Sequence, residues 1–195
     1  GKLIGAPVPG TMTAVWWETQ IDPTIVFGIP QVGAIGVKEG RYLENMQVEP
    51  DIEVYNDPAS VLRGEDKQLE AAVKEMFETL DKKGIVVETL VLNAADQGLG
   101  MEIFKNPLTD FMRVINTNMT WNYCLCENAA KRMKENGGGN IVFVNSNTAY
   151  RVIPNRIAYS ASKSGQLGMM RALAFDLGKY NIRVNAVLPG MIRTD

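Results

Sequence analysis

Tyr159 and Lys163 are the residues whose types and spacing first suggest chemistry. Residues four apart on a helix lie on one face, so the phenol and the ammonium group are expected to be neighbours. A cation beside a phenol favours the phenolate, and the pair therefore predicts a general acid–base group that works near neutral pH. The same short spacing of common residues also fits an incidental pair on a solvated helix face, so the surrounding elements must distinguish the two interpretations.

Three short apolar runs alternate with two long helical segments in the second half of the chain. The apolar runs cover residues 86–92, 140–144 and 182–188, and the helical segments cover roughly 108–135 and 156–178. This alternation predicts a parallel sheet with helices on its faces. A ligand of such a sheet binds beyond the carboxyl ends of the strands. Small or polar residues follow all three runs, so the pattern predicts a ligand site at that edge.

The motifs at these positions resemble the middle and later part of the short-chain dehydrogenase/reductase family. The residues that carry the resemblance are Leu92–Ala95, Asn118 within I-N-T-N-M-T, Ser146, the Tyr159/Lys163 pair and N-A-V-L-P-G at 185–190. The resemblance implies an α/β fold, with a partial Rossmann-like parallel sheet and flanking helices over residues 86–195. It also implies an NAD(P)-dependent oxidoreductase that acts on a small alcohol or ketone, and intact relatives that are homo-oligomers.

The resemblance assigns a role to each motif. Tyr159 is the proton donor or acceptor, and Ser146 hydrogen-bonds the substrate oxygen. Lys163 favours the phenolate and holds the nicotinamide ribose, while Asn118, at a bend in the long helix, anchors the water of a proton relay. The residues expected to line NAD or NADP, besides Tyr159 and Lys163, are Asn93, Ala94, Ala95, Pro189 and Gly190.

The sequence departs from the family in ways that bear on activity. Leu92 stands where the family usually has asparagine, and Ala95 stands where it has glycine. No T-G-x-x-x-G-x-G motif occurs in the 195 residues, and in this family the glycines of that motif let backbone N–H groups hold the pyrophosphate. We therefore expect weak dinucleotide binding and leave open whether this stretch catalyses by itself, which substrate it takes, and whether it prefers NAD or NADP.

Residues 1–81 resemble a different family, the C-terminal end of tricorn-like, tail-specific serine peptidases. The matching segments are Gly1–Gly5, Pro9–Thr11, Leu43–Asn45, Val48–Ile52 and Asn56–Ala59. The resemblance implies a β-rich segment with a closing helix over 66–81. It assigns Glu44 as the carboxylate that orients the catalytic hydrogen bonds, although a surface glutamate in a turn explains this residue equally well.

Composition excludes several other functions. The chain has no histidine, which removes a Ser-His-Asp triad and histidine metal sites within these residues. Cys124 and Cys126 point apart if they lie on a helix, so neither a disulfide nor a zinc site is expected, and no metal is assigned. The net charge of −2 argues against nucleic-acid binding, and no apolar run reaches the roughly 20 residues of a membrane span. We expect a cytoplasmic protein.

These patterns together predict a chimeric, truncated chain: a peptidase tail over 1–81, a junction at 82–85 and a reductase segment over 86–195. The preferred function is that of the reductase segment. The alternatives are a serine peptidase fragment, which would hydrolyse amides without NAD(P), and a non-catalytic chimera.

Overall fold

A computed structural model describes residues 2–8, 13–19, 22–24, 26–33, 35–36, 40–42 and 47–192. The chain forms two units, Gly1–Ala72 and Val73–Asp195. The junction expected at residues 82–85, between the peptidase-like and the reductase-like segment, stays a prediction.

The first unit contains short strands in two separate pairs. Strands β1 (Ile4–Gly5), β2 (Thr13–Thr19), β3 (Val26–Gly33) and β4 (Ile52–Glu53) occur in that order. Strands β1 and β4 pair in parallel, and β2 and β3 form an antiparallel hairpin with an irregularity between Ala14 and Val15. The β-rich character expected for this part of the chain is therefore present.

Helix α1 (Pro58–Leu62) begins at a side-chain cap. The Asp57 carboxylate accepts hydrogen bonds from the backbone N–H of Ser60 at 2.9 Å and from its hydroxyl at 2.6 Å. Proline suits the first helical position because the N–H that it lacks would have no partner there. Helix α2 (Lys67–Lys82) follows, which confirms the helix expected over 66–81.

A three-stranded parallel sheet forms the centre of the second unit. Strands β5 (Thr89–Leu92), β6 (Gly139–Val144) and β7 (Ile182–Val187) lie in the order β5-β6-β7, and both pairings are parallel. This confirms the fold class expected for residues 86–195. Strand β5 differs from a strand buried on both faces, because Val91 is 56% exposed.

Helices α3 (Leu108–Ile115), α4 (Trp121–Glu135) and α5 (Ile157–Gly178) belong to the same unit. A π-helical turn over Asn116–Thr120 separates α3 from α4, so the helix expected over 108–135 is interrupted by one turn with i→i+5 hydrogen bonding. Helix α4 stops at a glycine in the left-handed region, Gly137 at φ 86°, where a side chain would be strained. No helix among the described residues is long and apolar enough to cross a membrane.

Candidate active site

A cavity of about 280 Å³ lies at the carboxyl ends of the three parallel strands. The residues that line it are Asn93, Ala95, Gln97, Val144, Asn145, Ser146, Tyr159, Lys163, Pro189 and Gly190. They come from the last residue of β6, from the segments after β5, β6 and β7, and from the first two turns of α5. The sheet and one helix therefore place groups that are distant in sequence around a single volume.

Tyr159 and Lys163 share one face of α5, as their spacing requires. The Lys163 ammonium nitrogen lies 5.6 Å from the centre of the Tyr159 ring. The lysine is only 2% exposed, and its Nζ donates a 2.9 Å hydrogen bond to the carbonyl oxygen of Val144 at the end of β6. Burial lowers the pKa of Lys163 from 10.5 to about 8, so the group is close to losing its proton within the range where enzymes operate.

The Asn145 side chain connects Ser146 to the lysine helix. Its Nδ2 donates to the carbonyl oxygen of Lys163 at 2.8 Å, and its Oδ1 accepts from the backbone N–H of Ser146 at 2.7 Å. The Ser146 hydroxyl lies 2.8 Å from that of Thr148 and accepts from the Thr148 N–H at 3.1 Å. The serine is thus held at the strand end by a buried amide on one side and a short helical turn on the other.

Asn118 does not line the cavity but is fully buried in the π-helical turn. Its Nδ2 donates to the Asp96 carbonyl oxygen and to the Ser162 hydroxyl, both at 2.9 Å, and its Oδ1 accepts from the Asp96 N–H at 2.8 Å. Its own carbonyl oxygen accepts from the side chains of Asn122 and Gln166. Asn118 therefore joins the segment after β5 to helix α5, which carries Tyr159 and Lys163.

The structure places the other expected residues in three groups. Those at the cavity wall are Asn93, Ala95, Ser146, Tyr159, Lys163, Pro189 and Gly190. Ala94 is not among the lining residues, although its two neighbours are. Glu44, assigned by the peptidase resemblance, lies outside the described residues, and its role stays a prediction.

Several residues at or beside the site were not anticipated from the sequence. Gln97 and Asn145 line the cavity, and the Asn145 amide also lies 3.2 Å from the Gln166 side-chain oxygen. Helical spacing could have revealed Gln166, because it lies three residues after Lys163 and seven after Tyr159 on the same face. No pattern in the sequence marks Gln97.

The two cysteines take no part in this cavity. Cys124 and Cys126 are not joined in a disulfide, and burial raises the pKa of Cys126 to about 12, which makes it a poor nucleophile. Within the described residues, no group of three or more histidine, cysteine, aspartate and glutamate side chains could hold a metal ion.

Residues 53–195 match the protein-family model described as short chain dehydrogenase. The chain belongs to that family. The match contains every residue of the cavity wall. It also contains α1, α2 and the three parallel strands.

Curated oxidoreductases are similar to this chain over part of their length. The 3-oxoacyl-[acyl-carrier-protein] reductase MabA of Mycobacterium bovis is 36% identical over 126 residues, which are 64% of this chain and 50% of the relative. The 7alpha-hydroxysteroid dehydrogenase of Escherichia coli is 39% identical over 109 residues, which are 56% of this chain and 42% of the relative. The chain thus spans about half the length of the curated relatives that it matches.

A solved dehydrogenase has a similar fold in the corresponding region. The crystal structure of NAD⁺-bound xylitol dehydrogenase superposes with a TM-score of 0.60 and 30% sequence identity. The superposition covers 65% of this chain and 48% of that enzyme.

Proposed function

We propose that the protein forms the catalytic part of an NAD(P)-dependent oxidoreductase that interconverts a small alcohol and the corresponding ketone. The observation that carries the proposal is the cavity at the strand ends, whose wall contains Ser146, Tyr159 and Lys163 together. A hydroxyl donor, a phenol and a buried ammonium group around one volume suit a substrate oxygen that changes between carbonyl and hydroxyl.

The remaining wall suits a nicotinamide and its ribose. Asn93 and Ala95 lie on one side, and Pro189 and Gly190 follow β7. A Cβ atom at Gly190 would lie only 3.3 Å from Nδ2 of Asn147, so the lack of a side chain lets this part of the wall pack closely on Asn147. A bound nicotinamide would supply or accept the hydride. We propose that Lys163 and Tyr159 hold its ribose and leave the choice between NAD and NADP to the experiment below.

The proton is the part of the reaction that these residues handle themselves. In the reducing direction, the Tyr159 hydroxyl donates its proton to the substrate oxygen, which becomes a hydroxyl group. The Ser146 hydroxyl donates a hydrogen bond to the same oxygen and fixes its position. The Lys163 ammonium favours the phenolate that remains, since an opposite charge nearby stabilises it. In the oxidising direction the phenolate takes the proton back.

Asn118 contributes by position. Its bonds to Asp96 and Ser162 fix the wall that follows β5 against α5. We also propose that this turn anchors a water that returns the proton from solvent through Lys163.

The names of the relatives agree on the reaction but not on a substrate. One is a reductase of 3-oxoacyl-[acyl-carrier-protein], and the others are dehydrogenases of a hydroxysteroid and of xylitol. Alcohol–ketone chemistry is what we carry over to this chain. We expect a small-molecule substrate, a cytoplasmic location and a homo-oligomeric intact enzyme, and no nucleic-acid or membrane partner.

The test follows the loss of NADH or NADPH absorbance with simple ketones. We expect no measurable rate from the 195 residues alone, because weakly held nicotinamide is poorly positioned for hydride transfer. Joining a family-compatible N-terminal Rossmann third and C-terminal segment should restore turnover. In that longer protein, Tyr159→Phe should lower the rate by about 10²–10⁴-fold, since it removes the transferable proton and keeps the ring.

Tyr150→Phe is the matched control, because Tyr150 is 72% exposed and outside the cavity wall. It should leave the rate within about twofold of the unsubstituted protein. Full turnover by Tyr159→Phe, or equal loss in both variants, would contradict the assigned role. The peptidase resemblance of residues 1–81 is a separate proposal, and we expect that part to be non-catalytic in the same preparations.

A further inference from the structure

Arg156 stands at the entrance to α5, three residues before Tyr159. Its guanidinium carbon lies 5.9 Å from the centre of the Tyr159 ring. Its Nη1 donates to the carbonyl oxygen of Gln97 at 3.1 Å and lies 3.4 Å from the Gln97 side-chain oxygen. Gln97 itself lines the cavity. The guanidinium group therefore lies beside the cavity, bound to one wall residue and next to another.

The backbone that carries Arg156 is fixed in place. Asn155 adopts the left-handed region at φ 57°, a conformation that non-glycine residues rarely take. Its carbonyl oxygen accepts a 3.1 Å hydrogen bond from the N–H of Met101, and Met101 and Arg156 form a parallel bridge. Met101 is only 5% exposed. The arginine is thus attached to a buried point of the fold rather than to a free loop end.

The acidic residues between Asn93 and Asp110, in the chain that follows β5, have other partners. The Asp96 carboxylate pairs with Arg113, and Glu102 pairs with Lys105 at 2.8 Å. The Asp110 carboxylate accepts from the Asn106 amide at 3.0 Å. Among the described residues, no carboxylate pairs with Arg156, and the cavity wall contains no aspartate or glutamate. The charge of Arg156 therefore has no acidic partner within the part of the chain that the structure describes.

A guanidinium group presents donors in a fork that matches a carboxylate. Nη1 is directed to Gln97, which leaves Nε and Nη2 without a described acceptor. The guanidinium carbon lies 5.9 Å from the centre of the Tyr159 ring, so a short molecule whose charge lies within a few bonds of its reacting oxygen suits both groups.

We infer that Arg156 is a specificity-determining residue that binds the carboxylate of a short oxo acid, or of the matching hydroxy acid, while Tyr159 and Ser146 hold the reacting oxygen. This inference rests on the proposed function and adds the substrate class to it. The neutral ketone of the same size lacks the partner for the guanidinium and binds less tightly.

The test compares acetoacetate with methyl acetoacetate, which keeps the ketone and removes the charge. Binding of both probes to the 195-residue protein is measured by ligand-observed NMR, with and without NADH. The variants are Arg156→Met, Arg156→Lys and the control Arg151→Met. Arg151 is an exposed arginine of the preceding loop, so the control makes the same change in net charge.

We expect the Kd for acetoacetate to rise about tenfold in Arg156→Met, as the loss of a charge-assisted hydrogen-bonded pair predicts. Arg156→Lys should lie between that variant and the unsubstituted protein, because it keeps the charge but not the fork. The Kd for the methyl ester should be unchanged in all variants, and Arg151→Met should bind acetoacetate within about twofold of the unsubstituted protein.

Equal affinity for the two probes, no detectable acetoacetate binding at millimolar concentration, or equal losses at Arg156 and Arg151 would overturn the inference. NADH binding, followed by its fluorescence in the same samples, and turnover in the longer protein report on the proposed function separately. A protein that uses NADH but does not distinguish the probes rejects only the carboxylate inference. A protein that prefers acetoacetate through Arg156 but neither binds nor uses NADH or NADPH rejects only the oxidoreductase.

Discussion

The two units differ in what their described residues bury. Among the residues of Gly1–Ala72 whose burial the structure describes, which leave out most of β2 and β3, the buried ones are Gly5, Gly36 and Ser60. In Val73–Asp195, buried hydrophobic side chains such as Val114, Met133 and Phe143 occur together with buried polar ones. The buried polar residues of the second unit are Asn118, Asn122, Asn145, Thr148, Ser162, Lys163 and Gln166.

Buried polar groups are costly unless they have partners, and the side chains of these seven residues have them, whereas the buried Ser160 hydroxyl of the same unit has no hydrogen-bond partner among the described residues. The side chains of Asn118, Asn145 and Gln166 form hydrogen bonds that join the π-helical turn and the end of β6 to α5. Asn145 and Lys163 of this network also line the cavity. The buried polar residues therefore help to position Tyr159 and Lys163. The second unit therefore contains its site as part of its core, whereas the one buried polar side chain described in the first unit, Ser60, belongs to a helix cap.

The largest expected change in stability comes from removing a buried hydrophobic side chain of the second unit. Phe143 on β6 is fully buried, so Phe143→Ala leaves a cavity and should lower the free energy of unfolding of the second unit by about 3–5 kcal/mol. Leu62 in the first unit is 88% exposed, so Leu62→Ala should change stability by less than about 0.5 kcal/mol. Hydrogen exchange of the β6 and α1 amides under native conditions, read unit by unit, measures both changes.

The sequence predicted the elements of the second unit better than its polar contacts. The three strands and α5 could be predicted because apolar runs and helical periodicity are local signals. The π-helical turn at 116–120 could not be predicted from helical periodicity, because it depends on Asn122 and Gln166 bonding to the Asn118 carbonyl oxygen. Gln166 is 48 residues away from that oxygen in sequence.

The site shows the same division between local and distant signals. Tyr159 and Lys163 lie on one helix face, so their spacing was sufficient to pair them. Helical spacing also places Arg156, three residues before Tyr159, near the same face. A lone arginine at the start of a helix does not predict a binding role, because that role depends on its contact with Gln97, which is 59 residues away in sequence. Strand β5 begins at Thr89 rather than at residue 86, because only from Thr89 does the chain pair with β6.

Lys163 gives the second largest effect, and its sign follows from its lowered pKa. Between about pH 8 and 10.5 the unfolded chain holds a proton on this lysine that the folded chain has released. Stability of the second unit should therefore rise with pH through that window, by about 3 kcal/mol in all, and the rise should be absent in Lys163→Met. Urea unfolding at several pH values measures the slope.

Lys131→Met is the control for that slope, because Lys131 is an exposed lysine of α4 paired with Glu127. It should retain the full rise with pH. Identical slopes in the two variants would show that burial of Lys163 is not the cause.

Asn118 tests whether the buried polar network holds the second unit together. Asn118→Ala leaves the Asp96 N–H without its acceptor and removes the bond donated to the Ser162 hydroxyl, which keeps its own bond to the Tyr159 carbonyl oxygen. It should lower the free energy of unfolding by about 1–3 kcal/mol. Asn136→Ala is the control, since the Asn136 amide donates only to the Arg132 carbonyl oxygen at the exposed end of α4. Denaturant unfolding compares the two. Equal effects would mean that the network adds nothing beyond an ordinary helix-end contact.

The smallest expected effect is at Asp57 in the first unit. Folding stabilises the charged form of this residue, whereas at Lys163 it penalises the charged form. The hydrogen bond from Lys67 and those from Ser60 hold the pKa of the Asp57 carboxyl well below its usual 3.8. The folded unit therefore releases this proton more readily than the unfolded chain. Its stabilising contribution is present above about pH 4 and is lost as the pH falls below that value. Asp57→Asn removes a charged helix cap, so its destabilisation should be evident at neutral pH and should shrink in acid.

Because Asp57 and Lys67 are both nearly half exposed, solvent screens the pair, and we expect a smaller change than at Lys163 or Asn118. Hydrogen exchange of the amides of residues 58–67 between pH 3 and 6 measures it. Lys67→Met should weaken the same acid response, since it removes the largest cause of the lowered pKa, while exchange at β6 stays unchanged in both variants. If both variants kept the acid response of the unsubstituted protein, acid sensitivity of the first unit would have to come from groups other than this cap, and the contrast with Lys163 would fail.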